Sequence, residues 1–460
     1  MLDPNGLVTG LESAALAVLR RAYAAAMQGE FREPRESLSP PTQPCTLYLH
    51  VPFCESLCPF CSFHRVAYRL PKAQLYFQAL REEIRYYHAR GFEFNEVYVG
   101  GGTPTVAPAE LETTLRLVRA LWPIRRLSVE TNPNHLTLET IAALQRCGVD
   151  RLSVGVQSFD DVLLQEMGRL QPYGTAAEIE RRLESARGCF GTLNVDLMFN
   201  FPHQSIESLQ HDLATVRDLG IDQVSCYPLM SADTTRRRMR KKMGAVEPAR
   251  RREYYRAILE GLQPGYQPSS AWCFTRQSAN RPSSALDEYI IHSGDYIGAG
   301  CGAFSYLDGT LYATTFSLNA YRERLASGRS AITAYRALTF RQRLHYDLLV
   351  GLFGLSLPWS ALERKHGPRG RRALALEVAA LRLVGAVRAE GDTLRLTERG
   401  MYYWMLMMAE FFTAVNELRA AMRRHIHAEP VPSARILDGL QQNPRGPDKP
   451  RTVILSRDPS

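Results

Sequence analysis

Three cysteines at positions 54, 58 and 61 constrain the fold and chemistry of this chain more than any other feature. They are spaced Cys-x-x-x-Cys-x-x-Cys and follow the apolar run at residues 47–51. Thiolates at this density bind a soft metal or form disulfides. A structural zinc site uses four protein ligands, and no fourth cysteine or paired histidine stands at the expected offset. Three thiolates on a four-iron, four-sulfur cluster leave one iron open to a small molecule, and we expect such a cluster here. The alternative is three unrelated cysteines in a loop.

Length and composition are those of a globular protein with two or three domains. The chain has 460 residues, 45% of them hydrophobic, and no apolar stretch approaches the ~20 residues of a membrane span. The first residues lack the basic and apolar regions of a secretory signal. The nine cysteines are odd in number, and those outside the motif are scattered singly, which indicates a reducing compartment. We therefore expect a cytoplasmic protein.

From residue 46 onwards, short β-branched or apolar runs alternate with helical patterns, which predicts a parallel sheet built from βαβ units. Strands are expected at residues 46–51, 95–100, 126–131, 150–156, 193–199 and 222–228. Six such units are three quarters of a (β/α)8 barrel. The expected fold is therefore α/β, an open (β/α)6 partial TIM barrel with a lateral mouth for a bulky substrate.

The remaining segments are organised around this barrel, which is expected over residues 44–230. Residues 1–43 are expected to form a helical extension and a proline-rich linker, and residues 231–335 to pack against the open side of the barrel. Helical patterns followed by a Gly391-Asp392 turn between two short runs predict a winged-helix-like α+β domain over residues 336–425. The charged, proline-rich residues 426–460 are expected to be disordered.

In parallel α/β barrels the site lies at the carboxyl ends of the strands, and this rule selects a set of residues here. Besides the cysteine loop, the set comprises residues 100–104 (Gly-Gly-Gly-Thr-Pro), Glu130, Gln157, Asp196 and Tyr227. Glycines permit close approach of a ligand to the backbone, and carboxylates accept hydrogen bonds from hydroxyl or ammonium groups. A glycine turn beside a cysteine cluster is a stronger signal than either motif alone.

The cysteine motif, with Phe60 just before its last cysteine, resembles the signature of the radical S-adenosylmethionine (SAM) superfamily. More closely, residues 48–54 (Tyr-Leu-His-Val-Pro-Phe-Cys) resemble the start of the oxygen-independent coproporphyrinogen III oxidase (HemN-like) family. The resemblance covers roughly residues 46–420. It implies a 4Fe–4S cluster, one or two SAM molecules, cleavage of SAM to a 5′-deoxyadenosyl radical, and a flavodoxin- or ferredoxin-type electron donor.

The same resemblance assigns roles to individual residues. It implies that Cys54, Cys58 and Cys61 are the cluster ligands and that they form the catalytic centre together with Tyr48. It implies that SAM is bound by Tyr48, Phe60, Gly101, Gly102, Thr103, Glu130, Gln157, Arg169 and Asp196. Arg169 suits a bidentate pair with a carboxylate. Two residues have structural alternatives, Asp196 as a satisfied buried acid and Tyr48 as ordinary core packing.

Two departures from the family pattern bear on the reaction. Coproporphyrinogen oxidases of the family carry a further cysteine two residues after the third, where this chain has Phe63. Heme chaperones share a phenylalanine there but carry a His-Asn-x-x-Tyr-Trp motif, whereas residues 286–291 of this chain read Leu-Asp-Glu-Tyr-Ile-Ile. The chain thus keeps the residues that the resemblance assigns to SAM but lacks the substrate-side markers of both groups. In this combination it resembles the HemN-like class C methyltransferases.

The resemblance to these methyltransferases implies methyl or methylene transfer to an sp2 carbon of a planar substrate. Trp272 is expected either to stack on that substrate or to pack between the barrel and residues 336–425. Two other functions remain as alternatives. One is oxidative decarboxylation of a propionate, as in the coproporphyrinogen oxidases, and the other is a non-catalytic heme-transfer protein of the HemW type.

The formal net charge of +9 is partly local, because residues 236–242 contain six basic residues in seven and Arg250, Arg251 and Arg252 follow. A solvated helix face accounts for such a run. The functional alternatives are docking of an anionic substrate and, over residues 236–252, contact with an acidic membrane surface. No nucleic-acid motif accompanies the run, so we expect a planar or anionic small-molecule partner and no nucleic acid.

Overall fold

The computed structural model describes residues 31–32, 38–230, 237, 239–241, 243–277 and 294–426. The predicted N-terminal helix, residues 286–291 and the predicted disorder beyond residue 426 lie outside the described residues. Within the described part of the chain, no helix is long and apolar enough to cross a membrane.

The strands and helices are numbered here in chain order. The strands are β1 Cys45–Val51, β2 Phe53–Cys54, β3 Val66–Ala67, β4 Phe94–Gly101, β5 Arg126–Thr131, β6 Arg151–Gln157, β7 Thr192–Phe199, β8 Gln223–Pro228, β9 Tyr266–Pro268, β10 Cys273–Arg276, β11 Tyr296–Ala299, β12 Phe304–Leu307, β13 Thr310–Thr314, β14 Ile332–Ala337, β15 Ser356–Pro358, β16 Val387–Glu390 and β17 Thr393–Leu396. The helices are α1 Leu70–Ala89, α2 Pro108–Leu121, α3 Leu138–Arg146, α4 Asp161–Glu166, α5 Leu170–Tyr173, α6 Ala176–Ala186, α7 Ile206–Asp218, α8 Arg251–Leu262, α9 Leu318–Ala326, α10 Phe340–Phe353, α11 Trp359–His366, α12 Pro368–Ala373, α13 Ala375–Leu383 and α14 Glu398–Ile426.

The parallel sheet predicted from the alternating pattern is confirmed. The predicted strands correspond to β1 and β4–β8, and they lie side by side in the order β1-β4-β5-β6-β7-β8, all parallel. Every residue of β1 is buried, because this strand has neighbours on both sides and is covered on both faces. The pattern was readable because buried parallel strands are continuous apolar runs.

Side-chain caps fix the starts of several crossover helices. The Thr175 hydroxyl accepts from the Glu178 backbone N–H while the Glu178 carboxylate accepts from the Thr175 N–H, so α6 begins with a capping box. The Ser205 hydroxyl accepts from the Ser208 N–H, 3.1 Å away, at the start of α7. These caps end the loops at the strand rim and so limit their length.

Residues 231–335 were expected to pack against the open side of the barrel, but their described strands extend the same sheet at both edges. Strand β11 pairs in parallel with β1, and β10 pairs antiparallel with β8, in a twelve-stranded mixed sheet. Edge strands carry unpaired backbone N–H and C=O groups, and the added strands satisfy them. In the described residues the sheet runs from β14 to β9 without closing.

The winged-helix-like region is built as predicted, from helices followed by a hairpin. Strands β16 and β17 pair antiparallel around the Gly391-Asp392 turn, and β15 completes a small sheet. Helix α14 then packs against α10, where the Trp404 indole N–H donates to the Leu349 carbonyl at 2.8 Å. The Ala271 N–H donates to the Phe353 carbonyl at 3.1 Å, which joins this region to the barrel.

Candidate active site

The cysteine loop is closed at its base by a two-stranded parallel ladder. Phe53 pairs with Val66 and Cys54 with Ala67, so the loop leaves and returns at the same point of the rim. Inside the loop, Nη2 of Arg65 donates to the carbonyls of Cys58 and Cys61, at 3.1 and 2.6 Å. These bonds hold the second and third cysteines in a fixed arrangement.

The three thiols lie close enough to act on one another electrostatically. Burial is the main cause that raises the pKa of Cys54 to about 11; a hydrogen bond from Thr103 opposes it, and the charges of Cys61 and Cys58 add to it. Thr103 Oγ1 lies 3.7 Å from Cys54 Sγ, and Arg169 Nη1 lies 3.4 Å from Cys58 Sγ. A cationic donor on a sulfur favours the thiolate form that binds iron.

The donor set fits a cluster better than a single metal ion. Among the described residues, no group of three His, Cys, Asp or Glu side chains is arranged to hold one ion. A 4Fe–4S cluster places a different requirement on the loop, because each thiolate binds a separate iron. Three cysteines in one loop, two of them buried and one partly exposed, meet that requirement and leave the fourth iron without a protein ligand.

A glycine turn after β4 contacts the chain just before Cys54. The Gly102 N–H donates to the Val51 carbonyl and the Thr103 N–H to the Phe53 carbonyl, both at 2.7 Å. Gly101 has a φ of 116°, and a Cβ there would lie 2.6 Å from the His50 ring. At Gly102 a Cβ would lie 2.5 Å from the Phe53 carbonyl oxygen, so a larger residue would collide with the cysteine loop itself.

Tyr48 and His50, both on β1, lie next to this turn and are buried. The His50 Nε2 lies 3.1 Å from the His64 carbonyl, which can only accept, so Nε2 carries the proton. His50 Nδ1 therefore accepts from the Tyr48 hydroxyl, 2.9 Å away. The sequence reasoning did not select His50, although a histidine inside an otherwise apolar strand was a visible signal.

Glu130 is held beside the glycine turn by two donors. The Tyr98 hydroxyl donates to its Oε1 at 2.9 Å, and the Gly101 N–H to its Oε2 at 3.1 Å. Burial and the nearby charge of Asp196 raise the pKa of Glu130 to about 7. The carboxyl remains partly exposed at the rim, where a ligand can reach it.

Asp196 on β7 stands in a polar layer with neighbouring strands. It accepts from the Ser153 hydroxyl at 3.0 Å and from the Asn194 side-chain amide at 2.8 Å. Burial raises its pKa to about 6, and the charge of Arg151 is the largest opposing influence. These contacts suit a satisfied acid as well as a ligand-binding one, so the predicted role of Asp196 stays a prediction.

Gln157 and Arg169 both lie beside Gly155 of β6, and Arg169 also reaches the cysteine loop. Gln157 ends β6 with a φ of 78°, a conformation that non-glycine residues rarely adopt, and its side chain is half-buried. Arg169 is buried and donates to the Asn132 side-chain oxygen at 2.9 Å and to the Gly155 carbonyl. Asn132, which the sequence reasoning missed, also donates to Thr103 at 2.7 Å and so links the two cysteine contacts.

Phe60 anchors the loop in an apolar cluster rich in methionine. Its ring meets that of Phe201 edge-on, with 6.0 Å between centroids, and Met198 packs nearby. Met239 and Met243, which lie on the helical turn carrying the basic run, belong to the same cluster. The outward residues of that turn, Arg237, Arg240 and Lys241, are exposed.

A second glycine-rich turn, after β11, contacts the chain just after Cys61. Cys301 Sγ lies 3.5 Å from His64 Nε2, and a Cβ at Gly302 would lie 2.6 Å from the His64 ring. The Gly300 N–H donates to the Glu83 carboxylate at 2.7 Å, and the Tyr321 hydroxyl donates to the same oxygen at 2.6 Å. Glu83 was not selected from the sequence, although an acid among the apolar positions of a predicted helix was a signal.

Trp272 follows the packing alternative and does not stack on a ligand. Only 1% of it is exposed, and rings of Phe353, Phe412 and Tyr227 surround it at centroid distances of 4.8, 5.6 and 5.1 Å. The expectation that it stacks on a substrate is therefore wrong. An aromatic run cannot reveal from sequence whether its rings face a mouth or a second domain.

The comparisons with known proteins agree with the fold and with the family resemblance of the sequence. The Radical SAM superfamily profile matches residues 48–216. Heme chaperone HemW of Mycobacterium tuberculosis (strain CDC 1551 / Oshkosh) is 30% identical over 383 residues, 78% of this chain and 93% of the relative. Oxygen-independent coproporphyrinogen III oxidase of Bradyrhizobium diazoefficiens is 28% identical over 393 residues, 80% of this chain and 86% of the relative. The solved structure of Escherichia coli coproporphyrinogen III oxidase (HemN), described as a radical SAM enzyme, shares the fold with a TM-score of 0.68 at 23% identity, covering 86% of this chain and 93% of that one.

These matches define first a class and then a family. The chain belongs to the radical SAM superfamily and, within it, to the family of oxygen-independent coproporphyrinogen III oxidases and HemW heme chaperones. Its cofactors are accordingly a 4Fe–4S cluster and SAM. The individual ligand assignments for Tyr48, Phe60 and the rim residues stay predictions that the geometry accommodates.

Proposed function

We propose that this chain cleaves SAM to a 5′-deoxyadenosyl radical and uses it for methyl or methylene transfer to an sp2 carbon of a planar substrate. The observation that carries the first half is the convergence of the cysteine loop, the Gly101 turn, Glu130 and Arg169 at one rim. A cluster held by Cys54, Cys58 and Cys61 would supply one electron and an open iron for the amino and carboxylate groups of SAM. The electron is proposed to come from a flavodoxin- or ferredoxin-type donor.

The chain's own residues supply binding and orientation. Glu130 is fixed by Tyr98 and by the Gly101 N–H, which leaves its exposed side to accept from a ribose hydroxyl or an ammonium group. A second acid, Asp196, raises the pKa of Glu130 through its charge, so the two act on one another. A cationic or hydroxyl-bearing ligand that binds there would favour the ionised carboxylates.

The substrate side supports methyl transfer over decarboxylation. Phe63 occupies the position where coproporphyrinogen oxidases of the family carry a cysteine, and 42% of it is exposed. It therefore presents an apolar ring where those enzymes present a thiol. Relatives named for heme and for coproporphyrinogen point to a macrocyclic substrate with carboxylates, and a ring of this kind offers sp2 carbons for alkylation.

The test is incubation of the reconstituted protein, under anaerobic conditions, with methyl-labelled SAM and extract from a deletion strain. Methyl or methylene transfer requires label in a small molecule, with S-adenosylhomocysteine formed beside 5′-deoxyadenosine. Carbon dioxide release with 5′-deoxyadenosine and no incorporated label would overturn transfer and support the second candidate, oxidative decarboxylation. That candidate is favoured by the coproporphyrinogen oxidase relative, of which this chain covers 86%.

A third outcome would remove both reactions. Protein that holds its cluster, binds heme, and yields no 5′-deoxyadenosine even with dithionite would be a heme-transfer protein of the HemW type. The residues that correspond to the chaperone's heme motif lie outside the described part of this chain.

We propose further that the exposed basic face of the turn at 237–241 docks an anionic substrate. Met239 and Met243 belong to the apolar cluster that contains Cys58 and Phe60, so the turn that carries the basic residues packs beside the cysteine loop. Changing Arg237, Arg240 and Lys241 to glutamine should weaken binding of heme, used as a planar probe with two propionates, and flatten its salt dependence. Arg382→Gln, which changes an exposed arginine elsewhere, is the control. If the triple variant binds heme as tightly as the wild type at low salt, substrate docking is contradicted, and a solvated face or a membrane contact remains as the explanation of the basic run.

A further inference from the structure

The last described helix, α14, reaches from the winged-helix-like region to the cysteine loop. Near the start of α14, the Trp404 indole N–H donates a hydrogen bond to a carbonyl of α10. Further along, the Phe412 ring packs against Trp272 of the barrel. Two turns later Asn416 and Arg419 are buried, although they lie close to the end of the described chain. Burial of polar side chains so late in a helix shows that this end is covered by another element.

The covering element is the chain that leaves the cysteine loop. The guanidinium carbon of Arg419 lies 4.9 Å from the centroid of the Phe63 ring and 5.4 Å from that of Phe304. Its Nη1 donates to the Asn416 side-chain oxygen at 2.6 Å, which fixes the guanidinium between the two rings. A cation against ring faces is attracted by their quadrupoles, and more strongly where water is excluded; only 9% of Arg419 is exposed.

The charge of Arg419 lies beside the segment that carries the third cluster ligand. Phe63, over whose ring the guanidinium lies, stands two residues after Cys61 in the sequence. Arg65 belongs to the loop itself and holds its carbonyls, whereas Arg419 comes from a distant part of the sequence. Reduction of a cluster adds one negative charge, so a fixed buried cation nearby stabilises the reduced state more than the oxidised one.

We propose that Arg419 is a positioning residue for the iron–sulfur cluster, which fixes the Phe63 end of the cysteine loop and raises the reduction potential of the cluster through its charge. The winged-helix-like region would thereby take part in cofactor chemistry. The proposal concerns cluster binding alone and does not depend on which reaction the radical performs.

The test uses the full chain, reconstituted anaerobically, with two readouts that need no substrate. One is the midpoint potential from a dithionite titration followed by electron paramagnetic resonance, in which the cluster takes up one electron from the reductant. The other is the rate of iron loss to a ferrous chelator. Arg419→Met should lower the midpoint and speed iron loss about fivefold, because both the charge and the ring contact are removed.

Two further variants separate charge from contact. Arg419→Lys should keep a midpoint close to that of the wild type and still lose iron faster, because an ammonium lacks the planar group that lies between the rings. Phe63→Leu should speed iron loss with a smaller change in midpoint. The matched controls are Arg382→Met and Phe340→Leu, exposed residues of the winged-helix-like region that do not contact the loop.

Wild-type midpoint and wild-type iron loss in Arg419→Met would overturn the proposal, as would an equal shift in Arg382→Met. If Arg419→Met does not retain a cluster during reconstitution, Arg419→Lys and Phe63→Leu decide. Faster iron loss in both supports the proposal, and wild-type rates in both overturn it.

Discussion

Two glycine turns flank strand β1, and they are built alike. Gly101 ends β4 and Gly300 follows β11, with φ values of 116° and 107°. In each turn the glycine N–H donates to a carboxylate that also accepts from a tyrosine, Glu130 in the first turn and Glu83 in the second. Each turn also contacts one end of the cysteine loop, the first before Cys54 and the second after Cys61.

The difference between the two turns lies in access. Glu130 is partly exposed at the rim, next to the second acid Asp196, whereas only 1% of Glu83 is exposed. The same backbone arrangement therefore holds an accessible carboxylate on one side of β1 and a fully packed one on the other. A glycine-rich motif indicates that two chain segments approach closely. Whether the carboxylate that accepts from the turn is accessible distinguishes a turn that a ligand can reach from one that only packs.

The largest expected effect is on the cysteine loop that both turns contact. Wild-type protein should bind about four irons after reconstitution, and Cys58→Ala should lose them because one iron loses its thiolate. Cys189→Ala, a partly exposed cysteine outside the loop, is the control and should keep the iron. A full complement of iron in Cys58→Ala would show that the loop is not the cluster site.

Substitution in the first turn should disturb the loop as well as the ligand. Gly102→Val should reduce 5′-deoxyadenosine formation about tenfold or more and should also lower iron content, because the added carbon meets the Phe53 carbonyl. Gly265→Val, at a glycine with no atom near its Cβ position, should do neither. Normal iron content in Gly102→Val would show that the added side chain does not disturb the cysteine loop. The loss of 5′-deoxyadenosine would then come from a collision with SAM.

The two carboxylates provide a direct test of the comparison. Glu130→Gln should weaken SAM binding about tenfold, since a charge-assisted hydrogen bond is lost, while Glu83→Gln should leave it unchanged. Equilibrium dialysis with labelled SAM measures both under identical conditions. Equal losses in the two variants would mean that the turns do not differ in function.

The last prediction concerns pH-dependent stability, which leaves the proposed ligand site untouched, and it belongs to the second turn. Burial raises the pKa of Glu83 to about 7, so the folded state holds a proton that the unfolded chain releases near its ordinary value of 4.5. This contribution to stability is present below that value and is lost as pH rises through about 7. Wild type should therefore lose roughly 2 to 3 kcal/mol more than Glu83→Gln between about pH 5 and about pH 8. The free energy of unfolding of both proteins is measured by chemical denaturation at the two pH values. An equal change in wild type and in Glu83→Gln would contradict the prediction.

Much of the fold was predictable because β1 and β4–β8 are covered on both faces and read as short apolar runs. The strands that join the sheet at its edges were not predicted, because β9–β11 span three or four residues each and carry no periodic pattern. Their pairing depends on partners that are distant in sequence. The hairpin at Gly391 was readable because its turn is local.

Site residues could be predicted where they belong to a motif with a fixed spacing. Residues whose role depends on tertiary contacts could not. The cysteines and the glycine turn stand out as motifs, and the rim rule selects Glu130 and Asp196. His64, Asn132 and Arg419 act through neighbours from other strands or from the last helix, so no local pattern marks them. Trp272 misled for the same reason, because its surroundings come from the second domain.

The parallel pairing of β11 with β1 also determines when the site can form. Thr46 pairs with Tyr296. The strand before the cysteines therefore lacks this neighbour until more than half of the chain has been synthesised. Contacts between such distant segments form late, since a long loop must close first. During synthesis the cysteines emerge early and remain without the turn at Gly300 until residues beyond the barrel follow. Insertion of the cluster is thus expected to be one of the last events in the maturation of this protein, after translation has passed the barrel.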